Sequence, residues 1–211
     1  MANSRLFVKI CGITRPRDAM VAADAGADAV GFVFWKESPR AIDPKGARAI
    51  AAGLPPSIVR VGVFVDPRPG ELSRIADEAQ LDILQLHGTE PPESLVGLPR
   101  RCWKAVGVGP DFVASDALRY EGRVAGILLD TRSDGTRGGT GRTFDWRLAR
   151  EVRKRATFLV LAGGLDPENV AAAVRAVRPD GVDVSSGVES SPGRKDEGRV
   201  KAFIEAARHA S

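Results

Sequence analysis

Eight short apolar runs recur along the chain, at residues 6–11, 29–34, 59–65, 83–86, 103–106, 126–129, 158–161 and 181–184. Each is largely Val, Ile, Leu, Phe and Ala, with Gly, Asp or Pro close behind. Runs this short and this continuously apolar are what strands buried on both faces of a parallel sheet look like. Helical patterns lie between them. Residues 16–25 carry Ala19, Val21, Ala22 and Ala25 near helical spacing, and residues 44–52 follow an Asp43 N-cap with Pro44 at the first helical position. The pattern returns at 69–79, from Asp166-Pro167 to Val177 and over 196–207, with weaker versions at 92–96 and 112–118. Strand and helix alternating in eight units predict a parallel sheet closed into a (β/α)8 TIM barrel.

The chain's 211 residues suit one barrel domain over 1–211, since α/β barrels commonly run to about 200–250 residues as one unit. A doubly wound open sheet that binds a dinucleotide would need a glycine-rich loop after the first strand. That position reads Cys11-Gly12-Ile13-Thr14, which is not G-x-G-x-x-G.

In a TIM barrel, chemistry sits at the C-terminal ends of the strands. Gly163-Gly164 after the seventh run and Ser185-Ser186-Gly187 after the eighth occupy adjacent loops. Glycines let backbone N–H groups approach an anion, and these two loops form the fold's recurrent phosphate site. Gly138-Gly139-Thr140-Gly141 follows the sixth run and can fold over a ligand, although a solvated loop reads the same way. Cys11 can act as a base when ionised, but most free cysteines are small buried apolar residues. A carboxyl such as Asp130, beside apolar walls at a barrel mouth, can stay protonated and serve as general acid; it can equally cap a turn. His87 is one of two histidines, too few for a zinc cluster. Arg40 can hold a planar carboxylate or lie on the surface. Cys102 begins a run rather than ending one and is given no role.

Composition closes off other classes. A net charge of +4 is spread without a basic run interleaved with aromatics, so nucleic acid is not an expected partner. No apolar run approaches the roughly 18 residues of a membrane span. The N-terminus lacks an apolar leader core, which predicts a cytoplasmic protein. Two cysteines without metal spacing predict free thiols and no metal site.

Taken together, Lys9-Ile10-Cys11-Gly12-Ile13-Thr14, Ser38-Pro39-Arg40, Leu84-Gln85-Leu86-His87-Gly88, Leu129-Asp130, residues 138–146, Leu161-Ala162-Gly163-Gly164-Leu165 and residues 181–189 closely resemble the phosphoribosylanthranilate isomerases of tryptophan biosynthesis. The resemblance spans nearly the whole chain. It implies a barrel without cofactor that performs an Amadori rearrangement. N-(5′-phosphoribosyl)anthranilate, an aminoaldose, becomes the aminoketose 1-(2-carboxyphenylamino)-1-deoxyribulose 5-phosphate. By this resemblance Cys11 is the general base, Asp130 the general acid and Arg40 the anchor of the anthranilate carboxylate. Phosphate falls to Gly163, Gly164, Ser186 and Gly187, with Gly138, Gly139 and Gly141 closing nearby. His87 and Asp183 match substrate-binding positions. The partner is a phosphorylated small molecule, and the protein is a monomer or a homodimer. Barrels that run the same rearrangement on a histidine-pathway aminoaldose typically place an aspartate where Cys11 stands. A binding-only barrel would be expected to lack Cys11 or Asp130. Both are present.

Overall fold

The computed structural model describes residues 5–68, 70–133, 136–137 and 143–211. The barrel strands are β1 (Phe7–Ile10), β2 (Ala29–Val33), β3 (Val59–Phe64), β4 (Ile83–Leu86), β5 (Arg101–Val108), β6 (Gly126–Ser133), β8 (Leu159–Leu161) and β9 (Gly181–Val184). All pair in parallel in the order β5-β4-β3-β2-β1-β9-β8-β6, and β5 pairs back to β6, which closes the ring. Every expected apolar run is one of these strands. β7 (Thr136–Arg137) returns antiparallel along the end of β6. A hairpin follows the last barrel strand, β10 (Glu189–Ser191) with β11 (Arg194–Lys195).

Successive residues of a strand face opposite sides, so each barrel strand supplies two cores. Outward positions such as Val8, Ile10, Phe32, Leu84, Ile127, Leu129, Leu161 and Val182 are buried under the helices. Inward positions Ala29, Val61, Trp103, Ala105, Leu128, Val160 and Ala162 fill the barrel. Its N-terminal end is plugged by three rings. Phe7 meets Trp103 edge-on at 5.7 Å between centroids, and Trp103 stacks on Phe158 at 5.7 Å. Trp103 is buried there, with Phe7 and Phe158 partly buried against it.

The helices are α1 (Pro16–Asp24), α2 (Pro44–Ala51), α3 (Glu71–Glu78), α4 (Ala114–Leu118), α5 (Trp146–Arg153), α6 (Val170–Val177) and α7 (Glu197–His209). The side chain of Asp43 caps α2 by accepting from Gly46 N at 2.9 Å, and Asp196 caps α7 by accepting from Arg199 N at 2.9 Å. Two expectations are corrected, and one helix was not anticipated. The pattern at 92–96 is a single 3-10 turn, Pro92–Leu95, with only Leu95 buried. α6 starts at Val170 rather than near Pro167, because Asp166 Oδ1 accepts from both Glu168 N and Asn169 N at 2.9 Å and holds a turn there. α5 has no counterpart in the sequence reading; only Ala149 and Val152 are buried on it, among three arginines and a glutamate that dilute its apolar stripe. Among the described residues no helix is long and apolar enough to cross a membrane.

Candidate active site

The C-terminal ends of the strands open into one cavity. It is lined by Cys11, Arg40, His87, Asp130, Gly163, Gly164, Asp183, Ser186 and Gly187, together with Gln85, Ser185, Trp35 and several aliphatic side chains. The fold thus gathers every sequence candidate among the described residues. Gly138, Gly139 and Gly141 lie outside the described residues.

Cys11 continues the line of β1 by one residue, and its N–H donates to Val184 O at 2.8 Å. Its side chain is buried at the cavity floor. Burial pushes the thiol above its ordinary value, Lys9 pulls against that, and Asp183 adds to it. Lys9 itself is fully buried and donates to Asp183 Oδ1 at 2.9 Å. Burial disfavours its charge, but Asp183 and Cys11 outweigh that and carry its pKa above the ordinary value.

Asp130 does not end its strand; β6 runs on for three more residues, so the carboxyl projects from within the wall. Its Oδ1 accepts from Thr131 N at 2.8 Å, and Oδ2 lies 3.3 Å from His87 Nε2. His87 is tethered by its own N–H, which donates to Phe64 O at 2.8 Å. The turn after it is pinned by the buried Lys104, which donates to Gly88 O at 2.8 Å and to Glu90 at 2.9 Å. Asp130 and Cys11 stand on strands separated in the ring by β8 and β9, on the walls of the same cavity. Between them, Gly163 has φ +81°, and a Cβ there would collide with Thr131 N and press on Asp130 Oδ1. Only glycine meets both demands at that position.

Arg40 is mostly buried, and Nε and Nη2 both engage the Glu189 carboxylate, at 2.8 and 2.7 Å. Glu189 thus fills the Nε–Nη2 edge of the guanidinium. The edge bearing Nη1 is the one not used by this pair. Glu189 also accepts from Lys195 at 2.9 Å, and Lys195 donates to Ser185 O at 3.0 Å. Burial works against the Glu189 charge, but Arg40 and Lys195 overcome it and hold the carboxyl below its ordinary value. Two cations around one carboxylate leave an excess positive charge at this side of the cavity.

Gln85 Oε1 and Ser185 Oγ are buried without a hydrogen-bond partner among the described residues, and both side chains line the cavity. Unsatisfied buried polar atoms are rare in folded proteins and suit a pocket that receives a polar ligand. No group of three or more His, Cys, Asp or Glu among the described residues is placed to hold a metal ion.

The sequence profile described as N-(5′-phosphoribosyl)anthranilate (PRA) isomerase matches residues 8–206. The chain belongs to this family. An N-(5′-phosphoribosyl)anthranilate isomerase of Geobacter sulfurreducens is 51% identical over 201 residues, covering 95% of this chain and 98% of its own. That of Trichlorobacter lovleyi is 49% identical over 203 residues, covering 96% and 98%. The solved phosphoribosyl anthranilate isomerase of Thermotoga maritima superposes with a TM-score of 0.88 at 46% identity, covering 97% of this chain and 99% of its own. Another solved phosphoribosyl anthranilate isomerase, in complex with reduced 1-(o-carboxyphenylamino)-1-deoxyribulose 5-phosphate, superposes with a TM-score of 0.85 at 45% identity over the same shares.

Within this isomerase-family barrel, four charged or polar residues had no assigned role in the sequence reading: Lys9, Gln85, Glu189 and Lys195. Two carried a legible signal. Lys9 and Gln85 sit in otherwise apolar strands at the alternation that also places Cys11 and His87 inward. Glu189 and Lys195 depend on the hairpin, and nothing local marks them.

Proposed function

We propose that this chain converts N-(5′-phosphoribosyl)anthranilate into 1-(2-carboxyphenylamino)-1-deoxyribulose 5-phosphate, a step of tryptophan biosynthesis, by general acid–base catalysis. The observation that carries the acid–base reading is the presence of Cys11 and Asp130 on the walls of one cavity that Arg40 and the Gly163-Gly164 and Ser186-Gly187 loops also line.

Asp130 donates a proton to the furanose ring oxygen. The C1′–O bond breaks, the nitrogen lone pair forms the C1′=N bond, and the ring opens to a Schiff base. His87 Nε2 lies 3.3 Å from Asp130 Oδ2 and faces the carboxyl that gives up this proton. The Cys11 thiolate then removes the C2′ proton. The electron pair flows into the protonated imine, giving an enolamine that tautomerises to the aminoketone. The protonated imine is the electron sink, and the enolamine reaches the aminoketone by losing its O2′ proton and gaining one at C1′. Arg40 draws in the anthranilate carboxylate, and the backbone amides of the two glycine loops take the phosphate. Anchoring both ends holds C1′ and C2′ between acid and base, and fixed geometry lowers the barrier without new bonds.

The test is turnover. Purified protein is mixed with freshly made N-(5′-phosphoribosyl)anthranilate and the loss of its fluorescence is followed, with the analogue lacking the phosphate run beside it. Rapid decay with the phosphorylated compound and a much lower kcat/KM without phosphate are expected. Absence of decay with well-folded protein would sink the reading, and equal kcat/KM for both compounds would remove the phosphate site.

A further inference from the structure

We propose that Lys9 is a positioning residue for the base: its buried ammonium, clamped by Asp183, is the fixed cation against which the Cys11 thiolate forms. The inference rests on the reading of Cys11 as base. Strand alternation puts Lys9 and Cys11 on the same inward face of the first strand, one above the other. A Cβ on Gly31 of the adjacent strand would sit 2.7 Å from Cys11 Sγ and 3.0 Å from Lys9 Cε, so the two side chains converge over the space this glycine leaves. Asp183 is on the other neighbouring strand, in register with Lys9, and its carboxylate takes the Lys9 ammonium at 2.9 Å. A lysine at this depth has no structural need to be charged. The layer below it is filled by Ala29, Val61, Leu128 and Val160, and an aliphatic side chain would fill the same volume without the desolvation cost of an ion pair.

The charges around the sulfur are few. Lys9 lies beneath it, Asp183 beside it, and Lys195 approaches from the hairpin with Arg40, both bridged by Glu189. The adjacent strand brings only Gly31 and Val33, and Asp130 and His87 face it across the cavity. Ionising Cys11 in this buried place needs a nearby positive charge. Lys9 is the one held rigidly on the same strand, while Asp183 limits its effect by drawing it away and adding a negative charge of its own.

The experiment reads the thiol directly, without substrate. In a Cys102→Ala background Cys11 is the sole cysteine, and its alkylation by iodoacetamide is followed against pH. Lys9→Met is expected to shift the profile to higher pH and slow alkylation near neutrality by about tenfold or more, one pKa step being a factor of about ten in thiolate. Lys9→Arg keeps the charge and is expected to stay close to the parent. Asp183→Asn is expected to shift the profile to lower pH and speed alkylation. The rise of kcat/KM with pH should move in the same order. Superimposable profiles for the parent and a folded Lys9→Met would overturn the proposal. If Lys9→Met does not fold, an Asp183→Asn profile identical to the parent's would overturn it. A parent protein that alkylates as expected but shows no turnover would instead count against the isomerase reading alone.

Discussion

The two ends of the barrel interior are built from the same strands and differ in kind. On β1 the inward positions run Phe7, Lys9 and then Cys11; on β4 Ile83, Gln85, His87; on β6 Gly126, Leu128, Asp130; on β9 Gly181, Asp183, Ser185. Each line starts apolar or small at the closed end and becomes polar at the open end. At the closed end Phe7, Trp103 and Phe158 pack ring against ring, with Gly126 and Gly181 making room for them. At the open end, the charged groups are paired: Lys9 with Asp183, Arg40 with Glu189, His87 with Asp130. Two or three alternate positions thus separate stability from chemistry, and substitutions at the two ends should fail in different ways.

The largest effect is expected at the mouth. Asp130→Asn keeps the shape and removes the acid, and kcat should fall by about 10²–10⁴-fold, the range for a general acid or base. The denaturation midpoint should move little. Near-parental kcat would break the contrast by removing the acid from the mouth.

Trp103→Ala is the converse. Emptying the ring cluster should cost about 3–5 kcal/mol of stability, as large-to-small core changes do. The folded fraction should keep the parent's KM, because the plug does not line the cavity. Urea denaturation beside steady-state kinetics separates the two readings, and a raised KM in fully folded Trp103→Ala would show that the ends are coupled.

Glu189→Gln sharpens the picture at the rim. With its ion-pair partner neutralised, Arg40 loses its fixed orientation, and KM should rise by about tenfold with kcat nearly kept, since a charge-assisted hydrogen bond is worth about 1.5–3 kcal/mol. Its pH signature has a definite sign. Glu189 is held below its ordinary value of 4.5, so its contribution to stability is full above that value and is lost as pH falls through the lower folded value. Acid denaturation of the parent should steepen there, and that part of the slope should vanish in Glu189→Gln. An unchanged KM would remove Glu189 from Arg40's positioning.

The smallest effect belongs to the outer layer. Asp43→Ala deletes the cap of α2 and should cost about 1 kcal/mol with unchanged kinetics. A kinetic defect there would mean that the helical shell, too, shapes the mouth.

Legibility in the sequence followed the same division. The strands could be read because burial on both faces makes them continuous apolar runs. α5 escaped because its buried stripe is only Ala149 and Val152. Cys11, His87, Asp130 and the glycine loops were found from their places just beyond or within a strand's open end. The ion pairs were not. Lys9 and Asp183 are 174 residues apart in sequence, and Arg40 and Glu189 are 149 apart. Those distances close only when the ring brings the last strand and its hairpin beside the first strand and the loop after β2, which no local pattern encodes.

The most direct measurement is a single-turnover reaction of the Cys11→Ala variant with N-(5′-phosphoribosyl)anthranilate, enzyme in excess and folding checked by thermal melt. The single-turnover rate should fall by at least about 10²-fold, and the residual rate should lose the rise with pH expected of a thiol that must ionise from above its ordinary value. A rate within a few-fold of the parent, with the same pH dependence, would contradict the assignment of Cys11 as the base.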